Sequence, residues 1–203
     1  MAARSILILW ETGHGKSTLA NFILDEKKFN VRVGLIAVSN ASKQYTKTIN
    51  GRRVQVIDTV GFSDASNAVE QHLEQVSKGL SLAPNGVDCI VFAIRLFTVA
   101  GYLGPNDAAQ EQKLQELLKS PRCPDSLKTL VRKADGGHVL VELVNTLGAE
   151  YRDNKVAQLL TRCDTIQKKV KAPYKNLMFV SVFQQYKQQK FDEARRLQQE
   201  KTD

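Results

Sequence analysis

The chain is predicted to fold as an α/β domain on a mainly parallel sheet, and three observations predict it. Strand-like apolar runs alternate with helix-like runs along most of the sequence, the pattern of a sheet flanked by helices. The run 5–9 (Ser-Ile-Leu-Ile-Leu) turns through Trp10-Glu11-Thr12-Gly13-His14-Gly15 into a helical stretch opening Lys16-Ser17-Thr18. The run 87–94 is almost wholly apolar, as expected of a strand buried on both faces in the centre of a sheet.

Taken in order, the first strand leads into a loop whose residues suit a phosphate. Glycines let backbone N–H groups curl around an anion, the helix N-terminus adds positive partial charge, Lys16 supplies a point charge and Ser17 a hydroxyl for Mg²⁺. The spacing of such a loop is G-x-x-x-x-G-K-[ST], and Trp10 stands where the first glycine belongs. Residues 25–40 are polar and irregular and read as a mobile loop. Two β-prone runs, 45–49 and 53–57, then flank Asn50-Gly51, a strong hairpin signal. Val69, Leu73, Val76 and Leu80 recur at helical spacing within 68–82, and Pro84-Asn85-Gly86 ends that helix before the apolar run at 87–94.

Beyond a glycine-containing loop, Asn106 or Asp107 caps a helix running to about Lys119. Ser120-Pro121-Arg122-Cys123-Pro124 breaks the chain, a helix follows over 125–133, and 139–143 reads as the last strand. A stripe of Val156, Leu159, Leu160, Cys163, Ile166 and Val170 marks a packed helix that Pro173 stops. From Leu177 to Glu200 the composition is rich in Gln, Lys, Arg and Glu, with an apolar and basic face that reads as a projecting or docked helix able to meet a partner helix. The expected division is a nucleotide-binding domain over 1–172 and a helical extension over 173–203.

With 203 residues, 42% hydrophobic and 25% charged, the chain has the composition of one well-cored domain. A net charge of +8 favours anionic partners, but the basic residues are scattered without interleaved aromatics, which argues against nucleic acid. Cys89, Cys123 and Cys163 are an odd number without C-x-x-C spacing, so neither a disulfide framework nor a zinc site is indicated, and a reducing, cytoplasmic setting is expected. No stretch is long and apolar enough for a transmembrane segment.

A nucleoside triphosphatase also needs a second Mg²⁺ contact and a sensor of the terminal phosphate. Asp58-Thr59-Val60-Gly61, at the end of a strand, supplies both: Asp58 for the metal and the Gly61 N–H for the γ-phosphate. Ser39 is the candidate hydroxyl completing the metal shell, with Ser42, Thr46 and Thr48 as competitors. Lys16 and His14 are the catalytic candidates. His14 is read as a phosphate contact, as a residue acting across a dimer interface, or as an exposed loop residue. Phe62 lies where some GTPases carry a water-positioning glutamine, and an apolar ring cannot orient water, so slow hydrolysis is expected. His72 reads as a surface residue and His138 as a strand residue.

Several segments together resemble the immunity-associated nucleotide-binding GTPases, the GIMAP or IAN family. They are Gly13 to Leu24, Asn50-Gly51-Arg52 running into Val56 to Asp64, Phe97-Thr98, Val156 to Leu160, and Pro173-Tyr174-Lys175-Asn176-Leu177-Met178-Phe179. The resemblance implies a Ras-like P-loop NTPase three-layer sandwich with a C-terminal helical extension, binding GTP or GDP with Mg²⁺. It implies homo-oligomers formed through the nucleotide-bearing face, and association with intracellular membranes, here through a partner. It places Glu11, Thr12, Gly13, His14, Gly15, Lys16, Ser17, Thr18, Gly61 and Asn145 on the nucleotide, and Ser17, Ser39 and Asp58 on the metal.

The family's guanine-specificity box is replaced by the short segment 120–124. One strand and the carboxylate that reads guanine are therefore expected to be missing, with Asp135 in Val131-Arg132-Lys133-Ala134-Asp135 an alternative remnant. The principal expectation is a slow, Mg²⁺-dependent GTPase that controls assembly. The alternatives are a non-enzymatic scaffold that binds nucleotide weakly, and a phosphate-binding enzyme without guanine selectivity.

Overall fold

The computed structural model describes residues 3–31, 41–61, 69–94, 106–134, 137–141 and 148–170, with 173, 181, 185, 188 and 195. They form β1 (Arg4–Leu9), α1 (Lys16–Leu24), β2 (Lys43–Ile49), β3 (Arg52–Asp58), α2 (Val69–Ser81), β4 (Cys89–Phe92), α3 (Asp107–Lys119), α4 (Asp125–Lys133) and α5 (Gly148–Val170). The chain divides into two compact units, one of residues 1–94 with 172–203 and the other of 95–171.

The first unit is built on a four-stranded sheet in the order β2-β3-β1-β4. β1 runs parallel to β3 and β4, and β2 is antiparallel to β3. Asn50 and Gly51 take φ of 49° and 73° between β2 and β3, so the two-residue turn has left-handed backbone at both positions, as a type I′ hairpin requires. In β1, Ile6, Leu7 and Ile8 are fully buried. Leu7, Leu9 and Ile57 pack with Ala83 and Val87 against Val76, Leu80 and Leu82, which sets α2 on that face. The opposite face carries Ile6, Ile8, Val54 and Val56 and, by register, Lys47. Lys47 Nζ donates to the Leu24 carbonyl at 2.6 Å, so the end of α1 lies on this second face. The sheet is thus covered on both sides within this unit.

Two expectations are corrected here. The apolar run 87–94 forms β4 at an edge of the described sheet, and the centre belongs to β1 and β3. Ile90 and Phe92 are 38% and 42% exposed. Continuous apolarity cannot separate a central strand from one at the edge of the described sheet. Residues 139–141, the described part of the expected last strand, have no strand structure. An apolar run becomes a strand only where a ladder partner takes up its N–H and C=O groups. His138, read as a strand residue, instead holds Glu111 Oε2 at 2.6 Å through Nε2.

Residues 25–31, the described part of the expected irregular loop, have no helix or strand structure, as expected, and are held by hydrogen bonds with α1. The Asn21 side chain accepts from Lys28 N and Phe29 N, each at 2.9 Å, and donates to Phe29 O at 2.8 Å. Phe29 is buried and meets the Tyr45 ring edge-on at 5.1 Å. A single amide on α1 therefore pins the turn that follows it.

In the second unit α3 begins as expected, with the Asn106 side chain accepting from Ala109 N at 3.0 Å. Val156, Leu160 and Cys163 form the buried stripe of α5. Lys155 is buried beside them, its ammonium held by Asp107 at 2.6 Å and Gln110 at 2.9 Å. Among the described residues no helix is long and apolar enough to cross a membrane. Of the expected C-terminal helix, Ser181, Gln185, Gln188 and Arg195 are helical, and the rest lies outside the described residues.

Candidate functional site

Three segments converge at the C-terminal ends of β1 and β3, the customary position for a ligand on an open α/β sheet. The first is the loop 10–15, bounded by β1 and α1. Gly13 and Gly15 take φ of 82° and 86°, and Gly15 occupies the cap of α1 without any side-chain cap. The first N–H groups of the helix are therefore open to an anion.

Lys16 follows at the first helical position, 6% exposed, with Nζ donating to the Glu11 carbonyl at 2.8 Å. Burial lowers its pKa, and the charges of Asp58 and Glu11 oppose that shift. The cation is thus pulled back over its own loop. His14 Nε2 lies 3.3 Å from Glu11 Oε2, so the described partner of this imidazole is an acid of the same loop.

The second segment is the end of β3. Asp58 is 3% exposed, and its Oδ2 accepts from Ser17 Oγ at 2.6 Å. Its other oxygen, Oδ1, is buried and has no hydrogen-bond partner among the described residues. Burial raises the Asp58 pKa, against the Ser17 hydrogen bond and the charges of Lys16 and Lys43. A buried carboxylate oxygen with nothing to bind is costly. A divalent cation would remove that cost, and the Asp58 and Ser17 oxygens are the hard donors Mg²⁺ prefers.

The third segment is Thr59 to Gly61. Thr59 Oγ1 donates to the Ile8 carbonyl at 2.7 Å, tying this turn to β1. Gly61 lies so close to the loop that a Cβ there would fall 2.6 Å from Thr12 Cα and N. Only glycine allows the two backbones to approach in this way. The contact between the loop and the expected phosphate sensor was not anticipated from sequence, because it joins positions far apart along the chain.

Trp10, at the position where the loop spacing calls for glycine, takes φ of 138°, a backbone conformation that favours glycine. Its indole meets Phe92 edge-on, with ring centroids 5.7 Å apart. Such a backbone costs about 1–3 kcal/mol for a non-glycine residue, and an aromatic pair returns about 0.5–1.5 kcal/mol.

Glu11, Thr12, Gly13, His14, Gly15, Lys16, Ser17, Thr18, Asp58 and Gly61 all belong to this one region. Ser39, Asn145, Phe62 and Asp135 lie outside the described residues. Thr46 and Thr48 are members of β2, where they face Gln55 and Arg53 across the hairpin. Ser42, just before β2, has a buried hydroxyl without a partner.

A mainly parallel sheet flanked on both faces, with a strand-to-helix glycine loop facing a strand-end aspartate, defines the class: a P-loop α/β protein with the fold of the Ras-like GTPases. The chain superposes on Toc33 from Arabidopsis thaliana, solved with Mg²⁺ and GMPPNP, with a TM-score of 0.54 and 18% identity over 81% of this chain and 86% of that one. The AIG1 family profile matches residues 4–103 of this chain. Relatives include immune-associated nucleotide-binding proteins 9 and 5 of Arabidopsis thaliana, 26% and 24% identical over 87% and 81% of this chain. The chain spans 59% and 61% of the length of these two relatives.

Proposed function

We propose that this chain is a guanine-nucleotide-binding protein that takes GTP or GDP with Mg²⁺, hydrolyses GTP slowly and uses the nucleotide to control self-association. The observation that carries the reading is the buried, unpartnered Oδ1 of Asp58 beside Ser17, facing a loop whose helix N-terminus is uncapped. Asp58 and Ser17 would hold the metal, with Ser39 as the further hydroxyl. Residues 11–18 and the Gly61 N–H would hold the phosphates, and Asn145 would lie near the base. Mg²⁺, when bound, would neutralise charge on the β- and γ-phosphate oxygens.

The protein's own contribution is positioning. Lys16, released from the Glu11 carbonyl, offers its three donors to phosphate. The glycines at 13 and 15 permit backbone N–H groups to face the same anion. Gly61, against Thr12, can feel the terminal phosphate, and movement of its segment would carry the signal to a second copy. In this reading residues 1–172 form the nucleotide-binding domain and 173–203 a helical extension.

A second reading, a scaffold with weak nucleotide affinity, is favoured by the strained backbone at Trp10 and by 120–124 standing where a base-reading segment would be. Calorimetry with GTP, GDP and ATP, each with and without Mg²⁺, separates the readings. The GTPase reading expects Mg²⁺-dependent heat with GTP that Lys16→Ala abolishes without loss of fold. Absence of binding by GTP and GDP at millimolar concentration would support the scaffold, and equal affinity for ATP would remove the guanine assignment.

A further inference from the structure

We propose that Phe92 is a positioning residue for the phosphate loop: it holds the indole of Trp10 and so keeps the loop's first turn in a conformation that tryptophan alone would leave. The proposal rests on the reading of residues 10–18 as a polyphosphate site.

Two independent observations meet at this pair. Trp10 takes φ 138° where a phosphate loop normally has glycine, so its own backbone preference opposes the loop. Phe92, the last residue of β4, places its ring edge-on to the indole at 5.7 Å. Phe92 is 42% exposed, too open for its ring to be explained by core packing. The backbone next to it, Ala93 N, donates to the Leu9 carbonyl at 3.0 Å. The residue before Trp10 is therefore tied to the residue after Phe92, and the ring contact extends that tie by one side chain into the loop. The following residue, Glu11, provides the carbonyl that holds the Lys16 ammonium. A relaxed Trp10 would re-aim the chain where that carbonyl starts.

The coupling is tested by a double-mutant cycle with two readouts. The first is affinity for sodium tripolyphosphate and for Mg²⁺-GTP. Phe92→Ala is expected to weaken both several-fold, up to about tenfold. Phe92→Tyr, which keeps the ring, should bind as the parent does, and Phe92→Leu, which keeps only apolar bulk, should resemble Phe92→Ala. In a Trp10→Gly background, where the turn needs no support, Phe92→Ala should change nothing.

The second readout needs no ligand. Trp10 is the only tryptophan of the chain, so Phe92→Ala should red-shift the indole emission and lower the melting temperature, and Trp10→Gly should cancel the latter effect. An equal loss of affinity or stability in both backgrounds, or parental behaviour of Phe92→Leu, would overturn the proposal. If the parent binds neither ligand, the functional reading fails, and the emission and melting cycle still decides whether Phe92 positions Trp10.

Discussion

Asp58 concentrates the energetic conflict of this molecule in one side chain. Its carboxylate is buried, one oxygen is satisfied by Ser17 and the other by none of the described residues. Because the folded-state pKa is raised above the ordinary carboxylate value, the charged form costs stability above that raised pKa, and the cost disappears as the pH falls below the ordinary range near 3.8. Asp58→Asn should therefore stabilise the metal-free protein at neutral pH, by about 1–3 kcal/mol, measured by denaturant unfolding. The same substitution should abolish any stabilisation by Mg²⁺ with nucleotide. A metal-free protein destabilised by the substitution would mean that the carboxylate is satisfied as it stands. Lys16 with Ser17, and Asp58 with Gly61, stand out in the sequence as two motifs of local spacing, and the fold brings the two together at Ser17–Asp58 and Thr12–Gly61. The Trp10–Phe92 contact was not legible there, since no periodicity connects the two positions.

At the level of elements, close packing depends on a glycine in the last turn of a helix. A Cβ at Gly79 in α2 would lie 2.7 Å from Thr59 Cγ2 and 3.0 Å from Leu7 Cδ1. Thr59 cannot readily yield, because its hydroxyl is bonded to Ile8. Gly79→Ala would gain helix propensity but should lose stability overall, by about 1–3 kcal/mol, a sign that thermal melting can check. It should also loosen the turn at Thr59 to Gly61 that faces the phosphate loop. Elements with local causes were read correctly from sequence: the Asn50-Gly51 turn, the Asn106 cap and the apolar stripe of α5. The position of β4 was misread because burial is set by neighbours. The hydrogen bonds that hold the turn after α1 were not legible, because polar composition does not reveal that Asn21 binds it.

The whole molecule should answer acid unevenly. In the second unit Asp107 is held below its usual pKa by hydrogen bonds from Lys155 and Gln158, and Glu111 by those from His138 and Gln115. Their stabilisation is complete above the ordinary carboxylate range and is lost as the pH falls through the depressed values. The first unit carries both signs, with Glu26 depressed by Lys28 and Lys47 and Asp58 raised by burial. Hydrogen exchange, corrected for intrinsic rate, should show α3 and α5 losing protection on acidification before β1 and β3. Simultaneous loss across both units would contradict this order. The sheet itself has a further consequence, for assembly. Its two described edges are unlike: β2 carries Lys43 and Lys47, whereas β4, Cys-Ile-Val-Phe, has no charge to guard it. Pairing of like edges closes after two copies, whereas pairing of unlike edges passes from copy to copy and ends only where the rotation closes a ring. Whatever covers β4 in a longer or assembled protein therefore decides whether the sheet can propagate beyond a pair.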